Sequence, residues 1–485
     1  MAIQRYEVAI LGAGAAGTTA ALRLRQLGYK VVVLEKKRFP RFNIGESLSP
    51  GVKGILAYLQ AEHLLAHPSY LSKLPMSILW DAETPLRTDG DQNQHTLVDR
   101  AVFDKALLDL CQERGTDVIQ EAKIRHVKQE QGYWDITYHK HRQTKAIQAD
   151  VIFDARGRLG VSSSDRFITG AQTVAKWALL DTSQRLTSSF LEACPSFWLW
   201  GAPLPCGQAR IISFSDASLH KQRISLQDMI AQATLAKSWG STYQLKEEKS
   251  QAIQPYWNTK AIQECYYSIG ETAFALDPLS SSGVEKAMRY TLQAILAFHT
   301  SYHHKKQALA HQFLEDKLLT SVSSHAVMNQ NFYEKAYFDN TYTFWSKRKQ
   351  PFIHEKWQGT QQEKLYQKHI DMILNQETYV SKRKKTKLAV DLNSNMQLAT
   401  ELRFQKSICV EQDDLIEKEA IHHPSFQKPI AYLDGVAIAP LLRKLPSTFS
   451  LADLPSYWAT SITPRYAQKV LSFLMQKDII QQVSN

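Results

Sequence analysis

The sequence predicts an α/β fold, and three observations predict it. A strand-sized apolar run near the N-terminus leads straight into a glycine-rich turn and a helix-forming stretch. A second apolar strand closes on an acid, within about 30 residues of the start of the first. Far downstream, an apolar-aromatic strand ends in a Gly- and Ser-rich turn that opens another helix.

Tyr6–Leu11 reads as a buried strand. Gly12, Gly14 and Gly17 follow as G-x-G-x-x-G, with Ala15 and Ala16 between them, and open a helix over Thr18–Leu27. The next strand, Lys30–Leu34, ends at Glu35, and Lys36 follows. This is a β-α-β unit for a dinucleotide. Gly12 permits the tight turn, Gly14 lets the backbone approach a pyrophosphate, and Gly17 lets helix and strand pack closely. The helix N-terminus stabilises the phosphate charge. Glu35 is placed to accept hydrogen bonds from the adenosine ribose, and its carboxylate disfavours a 2′-phosphate. The fingerprint alone does not separate NAD from FAD.

Composition bounds the rest. The chain has 485 residues, 44% hydrophobic and 22% charged, which excludes wholesale disorder and a small disulfide scaffold. Two to four structural units are expected at about 100–200 residues each. No apolar run reaches the ~18 residues of a membrane span, and no signal peptide is apparent. A cytoplasmic protein with no membrane partner is expected. The net charge of +11 is partly local, at Lys347–Lys349 and Lys382–Lys387. Neither run is interleaved with aromatics as a nucleic-acid platform is, so no nucleic-acid partner is expected. The five cysteines are scattered without C-x-x-C, which argues against zinc, and no metal is expected.

Arg38–Gly51 (RFPRFNIGESLSPG) carries a resemblance. With Glu35, it is similar to the flavin-dependent tryptophan and phenol halogenases and their monooxygenase relatives, within the p-hydroxybenzoate-hydroxylase-like flavoproteins. Their G-E-S-x-x-P-G segment follows an FAD-binding β-α-β unit, which adds Gly45, Glu46 and Ser47 to the expected cofactor residues. Val98-Asp99-Arg100 with Phe103-Asp104 resembles V-D-R-x-x-F-D, whose arginine lies near the flavin; a surface helix start with an ion pair explains Arg100 equally. Asp150–Gly157 is a strand running into D-A-x-G, so Asp154 joins the list, although Arg156 stands where the family has a small residue. Gly270–Ala287 (GETAFALDPLSSSGVEKA) resembles G-D-A-x-x-x-x-D-P-x-x-S-x-G-V, with Glu271 in place of the aspartate. It follows the strand Tyr266–Ile269 and opens a helix over Val284–Phe298. Glu271, Asp277, Pro278, Ser282, Gly283 and Val284 are the expected residues there. The turn sets free N–H groups and a helix dipole beside a flavin pyrimidine, which stabilises its reduced anion.

The resemblance covers about residues 5–300 at motif level. It implies a Rossmann-like FAD-binding domain interleaved with a β-sheet substrate domain over residues 1–345. It implies O₂ as co-substrate and reduction by NAD(P)H, directly or through a separate flavin reductase, since no second G-x-G-x-x-G unit exists. Asn331–Lys349 extends it, with the family's helix of spaced aromatics ending in F-W-x-x-R; an amphipathic core helix fits the spacing as well.

Trp198-Leu199-Trp200 resembles the halogenase W-x-W-x-I-P element, which keeps substrate from the flavin. Two indoles filling one face of a strand give the same pattern. Lys73, seven residues before Trp80, resembles the lysine of K-x-G-x-x-x-x-W, with Pro75 in place of the glycine; a solvated loop lysine is the plainer reading. Lys73, Trp198 and Trp200 are the catalytic candidates. Ala275 and Ser280 stand where halogenases carry aromatic groups, which favours hydroxylation over halogenation. The D-P-L-S-S-S-G-V form resembles the flavoprotein monooxygenase of tryptophylquinone cofactor biogenesis. The implied reaction is hydroxylation of an electron-rich aromatic, an indole or phenol in a peptide, a protein or a small molecule, through a flavin hydroperoxide. A halogenase and a non-catalytic flavin-binding peptide chaperone are the alternatives.

Residues 346–425 read as a helical region with a basic linker, and 426–485 as a small winged-helix-like module, so the C-terminal region is expected to be mainly helical. Helices are expected over Val436–Leu445, Leu451–Thr460 and Arg465–Lys477. Leader-peptide docking and a plain helical extension both fit.

Overall fold

The computed structural model describes residues 3–82, 84–182, 186–239, 243–338, 341–350, 352–382 and 394–483. The basic run from 383 to 387 lies outside them. The chain divides into two compact units, Met1–Phe298 with Leu314–Leu365, and His299–Phe313 with Tyr366–Asn485.

The first unit is α/β, as expected. Strand β1 (Gln4–Leu11) is flanked by parallel partners on both sides, β2 (Val31–Glu35) and the long strand Gln143–Asp154. A parallel strand covered on both faces has no polar side to show, and β2 (VVVLE) is buried throughout. Helix α1 (Ala15–Gln26) packs its small residues, Ala15 to Ala21, against this sheet. Asp117–Gln120 extends the sheet beyond β2, and Tyr266–Ser268 extends it beyond Gln143–Asp154. The antiparallel strands Lys123–Glu130 and Tyr133–Lys140 pair onto the first half of Gln143–Asp154.

A second, seven-stranded sheet is interleaved with the first. Met76–Leu79 and Leu86–Thr88 reach it before the chain completes the first sheet, and five further strands between Thr173 and Ile253 return to it. Its strand Phe197–Pro203 alternates: Phe197 and Leu199 join one apolar cluster, while Trp198 and Trp200 join another on the opposite face.

Asn331–Lys349 is not one helix. The helix Gln307–Glu334 stops, and a short turn of helix, Thr343–Ser346, follows. Trp80 causes the break: its indole donates to the Phe332 carbonyl, and its own carbonyl takes the Tyr337 N–H at 2.7 Å.

The second unit carries more strand than expected. Arg403–Glu411 and Asp414–His422 form a hairpin. Asn395–Leu398 sits between Phe449–Ser450 and Ile480–Gln482 in a small sheet. Beyond the long helix Gln361–Lys382, whose part from Tyr366 belongs to this unit, the helices Ile438–Leu442, Leu454–Trp458 and Pro464–Gln476 pack around Trp458, Ile438 and Leu474. Ile438–Leu442 is shorter than expected because Asp434 and Gly435 both take positive φ (47° and 81°). That tight hairpin turn pairs Tyr432–Leu433 with Val436–Ala437 and uses the residues assigned to the helix start. Among the described residues, no helix is long and apolar enough to cross a membrane.

Candidate cofactor and substrate site

The glycine turn shows two kinds of glycine. Gly12 has φ +109°, and a Cβ there would lie 2.5 Å from the Ala155 carbonyl oxygen. A Cβ on Gly17 would lie 1.9 Å from the Gly12 oxygen. Both serve packing within the chain. Gly14 does not: a Cβ there meets only Arg41 Nη2, at 3.7 Å. Its side is open.

Glu35 is buried and fixed, accepting the Ala13 N–H and the Lys37 N–H, each at 2.9 Å. Lys36 beside it is exposed, while Ala15 and Ala16 are buried at the start of α1. Arg41 comes within 4.0 Å of Glu35, yet its Nε is buried without a hydrogen-bond partner. Buried donors are normally paired, and a pyrophosphate is the group that a guanidinium beside this turn would hold. Arg41 lies in the quoted R-F-P-R-F run but was not among the expected residues. Its position shortly after the acidic strand end was the available signal.

The Gly45-Glu46-Ser47 loop is braced from three directions. Arg100 is buried; its Nε and Nη2 hold Asp104 at 2.9 and 3.1 Å, and its Nη1 donates to the Ile44 and Gly45 carbonyls. Arg100 therefore acts on the loop, through a buried ion pair rather than a surface one. Glu46 pairs with buried Arg210 at 3.0 Å and also takes the Gly45 N–H. Ser47 Oγ lies 3.1 Å from His95, and Ser49 donates to Glu285 at 2.7 Å.

Asp154 is wholly buried, and its carboxylate is occupied by Arg156 and by the Tyr266 hydroxyl at 2.5 Å. Glu271 is half-exposed and paired with Arg158 at 2.9 Å. Gly270 (φ +60°) brings this loop against α1, where a Cβ would meet Ala16 at 2.9 Å.

Pro278 opens a short turn, and Ser281 takes a left-handed conformation. Ser280 and Ser282 hydroxyls share a hydrogen bond at 2.7 Å. The helix Gly283–His304 then begins, with Val284 half-buried. A Cβ on Gly283 would meet nothing within 4 Å, so this helix start, like Gly14, is open. The Asp277 carboxylate accepts the Leu279 N–H at 3.0 Å and the Tyr333 hydroxyl at 3.1 and 3.2 Å, and burial pushes its carboxyl up. The Asp277 carbonyl accepts from His325 Nε2 at 2.9 Å, and Lys286 Nζ lies 3.2 Å from His325 Nδ1. Burial pushes His325 down to about 3 and Lys286 down to about 8. A neutral His325 that donates from Nε2 and accepts at Nδ1 satisfies both contacts.

This buried histidine has a pH signature. Its folded value of about 3 lies below the ordinary 6.5, so the unfolded chain binds the extra proton between those values. Its stabilising share is complete above pH 6.5 and is lost as pH falls toward 3. Denaturant titrations of the wild type and His325→Gln are expected to converge below pH 6.5, by up to about 1.4 kcal/mol per pH unit. Parallel stability curves between pH 7 and pH 5 would contradict this.

Trp198 is 2% exposed and stacks on Phe214 with ring centroids 3.8 Å apart. It meets Trp80 edge-on, and Trp80 meets Trp345 in the same way. Its Nε1 is buried near the Tyr333 hydroxyl but makes no hydrogen bond of standard geometry. Trp200 is half-buried on the same face. Ile44 and Leu279 also pack against this cluster. The aromatic face is thus edged by one residue from each of the two loops expected at a flavin.

Two expectations need correction. Lys73 is on the surface, with φ +56° and a side chain 73% exposed, in an ion pair with Asp91 at 2.8 Å. The hydrogen bond to Asp91 pushes its ammonium pKa up. Ala275 pairs with Tyr256 and packs with Val161, away from that face, so the argument from small residues rests on Ser280. Sequence reasoning also missed Arg210, His325 and Tyr333, whose partners are remote in the chain.

Residues 7–163 match the FAD dependent oxidoreductase family, and residues 87–386 match the tryptophan halogenase family. A tryptophan 2-halogenase of Chondromyces crocatus is 25% identical over 59% of this chain, and the match spans 60% of that relative's length. The peptidyl tryptophan dihydroxylase QhpG, essential for tryptophylquinone cofactor biogenesis, shares the fold with a TM-score of 0.72 at 22% identity, over 98% of this chain and 99% of its own. The flavin-dependent halogenase CmlS does so with a TM-score of 0.75 at 18% identity, over 100% and 96%. FAD is the dinucleotide of this fold, and open Gly14, fixed Glu35 and the Arg41 Nε, which has no hydrogen bond, fit it. With 300 residues from 87 to 386 under the family's description, the chain belongs to the tryptophan halogenase family of flavoproteins.

Proposed function

We infer that the chain is an FAD-dependent monooxygenase that hydroxylates an electron-rich aromatic, an indole of tryptophan carried in a peptide or protein. The observation that carries this reading is the aromatic face of Trp198 and Trp200, edged by Ile44 and Leu279, while Lys73, the lysine that the motif offered, is exposed and paired to Asp91. A halogen route needs an ammonium group to guide an oxidised halogen to a separated substrate. Direct oxygen transfer needs only that the aromatic come close in a dry, shaped site. QhpG, of the same fold, acts on peptidyl tryptophan, which supports a peptide-borne substrate.

Bound and reduced, FAD supplies the activation of O₂, with electrons from NAD(P)H directly or through a flavin reductase. The chain's own residues bind and orient. Arg41 and the Gly14 turn hold the pyrophosphate, and Glu35 the ribose. The Ser282–Gly283 helix start gives N–H groups to the ring system. Arg100, Glu46 and Arg210 fix one loop, while Lys286 and His325 fix the other. Trp80, Trp198 and Tyr333 exclude water behind the substrate face.

Halogenation is the second reading, favoured by the Chondromyces relative. Bromide dependence of the product separates the two, and Lys73→Ala tests whether this lysine takes part. The variant is expected to leave turnover of a tryptophan-containing peptide unchanged, with or without bromide, because Lys73 is an exposed residue paired to Asp91. Loss of a bromide-dependent product in this variant would establish halogenation instead.

A further inference from the structure

A cavity of about 380 Å³ opens in the first unit, and its lining meets the glycine turn only through Arg156, whose main-chain N lies 3.3 Å from a Cβ on Gly12. None of Gly12, Gly14, Gly17, Glu35 or Arg41 is among its described lining residues. Its volume lies at the small end of the range for ligand pockets.

One wall is aromatic: Trp134 and Tyr266 line it, with ring centroids 5.3 Å apart. The charged lining is three cations, Arg125, Arg156 and Lys260, against one acid, Asp165. Lys260 pairs with Asp165 at 3.1 Å. Arg125 donates to His139 at 3.2 Å and has no acidic partner among the described residues. Arg156 is locked by Asp154 through its main-chain N–H, Nε and Nη2. Its Nη1 has no partner among the described residues. A pre-oriented guanidinium thus stands at the wall of this cavity. A rigid cation loses little freedom on binding an anion.

We propose that this cavity is a binding site for a nucleoside monophosphate, separate from the FAD site. The base lies against Trp134 and Tyr266, and the phosphate is held by Arg125, Arg156 and Lys260. A ring system meets aromatic surface at Trp134 and Tyr266, whose planes are tilted 51° to each other, and a phosphate meets one uncompensated cation, Arg125, together with the donors of Arg156 and Lys260.

The test is calorimetric titration of the FAD-loaded protein with adenosine 5′-monophosphate, adenosine and inorganic phosphate. The monophosphate is expected to bind at least tenfold more tightly than either part, and more weakly as salt rises. Arg125→Glu with Lys260→Glu is expected to weaken it at least tenfold while FAD content stays unchanged. Both side chains are exposed, and Arg125→Ala serves if the charge reversal does not fold. Three results would overturn the proposal. One is no binding to the FAD-loaded protein. Another is affinity unchanged in the variants. The third is binding to FAD-free protein that vanishes when FAD is added, which would make the cavity part of the FAD site.

Discussion

Gly14→Val is expected to leave the protein folded and strip it of FAD. A Cβ at residue 14 meets no backbone and only the far end of Arg41, at 3.7 Å, and the local φ of −73° suits any residue. The change in stability is expected to stay within about 0.5 kcal/mol, as for substitutions that disturb no contact. The valine side chain instead fills the space where a pyrophosphate must approach the backbone. FAD affinity is expected to fall at least about a hundredfold, near 3 kcal/mol. Gly17→Val is the contrast: its Cβ would overlap the Gly12 oxygen, so fold and FAD are expected to go together. Flavin absorbance after desalting, set against the thermal melt, checks both. A Gly14→Val protein that keeps its flavin would mean that the turn does not cradle FAD.

Glu46→Ala carries the second large effect. Glu46 and Arg210 are each about 5% exposed and lie 3.0 Å apart. Removing one partner of a buried pair strands the other charge and costs about 3–5 kcal/mol. It also frees the Gly45 N–H, which Glu46 holds at 3.0 Å, and so loosens the loop beside the flavin. Denaturant unfolding is expected to show the loss. Glu46→Leu with Arg210→Met is expected to recover most of the stability, because no charge is left unpaired. FAD retention is not expected to recover with it, since the Gly45 N–H stays unheld. Equal recovery of both would reduce Glu46 to a packing role.

What could be read in the sequence was local. The strand–turn–helix of residues 4–26 and the acid at residue 35 are neighbours in the chain, and each conforms to a steric rule of its own. The open Gly283 helix start was legible for the same reason. The alternation of Trp198 and Trp200 fixed their common face, but not what borders it. The braces of the site were not legible. Glu46 finds Arg210 164 positions away, and the Asp277 carbonyl finds His325 48 away. Nothing near a glutamate or a histidine in sequence announces such a partner; only tertiary burial makes the pairing necessary. Lys73 shows the converse. Its spacing to Trp80 matched a motif, while the left-handed backbone at residue 73 and the nearby Asp91 turned it to solvent.

The most direct test is the mass of the product. The FAD-loaded protein, with a flavin reductase, NADH and isotopically heavy dioxygen, is offered tryptophan-containing peptides with and without bromide. The expected product gains one or two heavy oxygen atoms on the indole, to the same extent in both. A product carrying bromine, formed only when bromide is present, would contradict the hydroxylase reading and make this chain a halogenase.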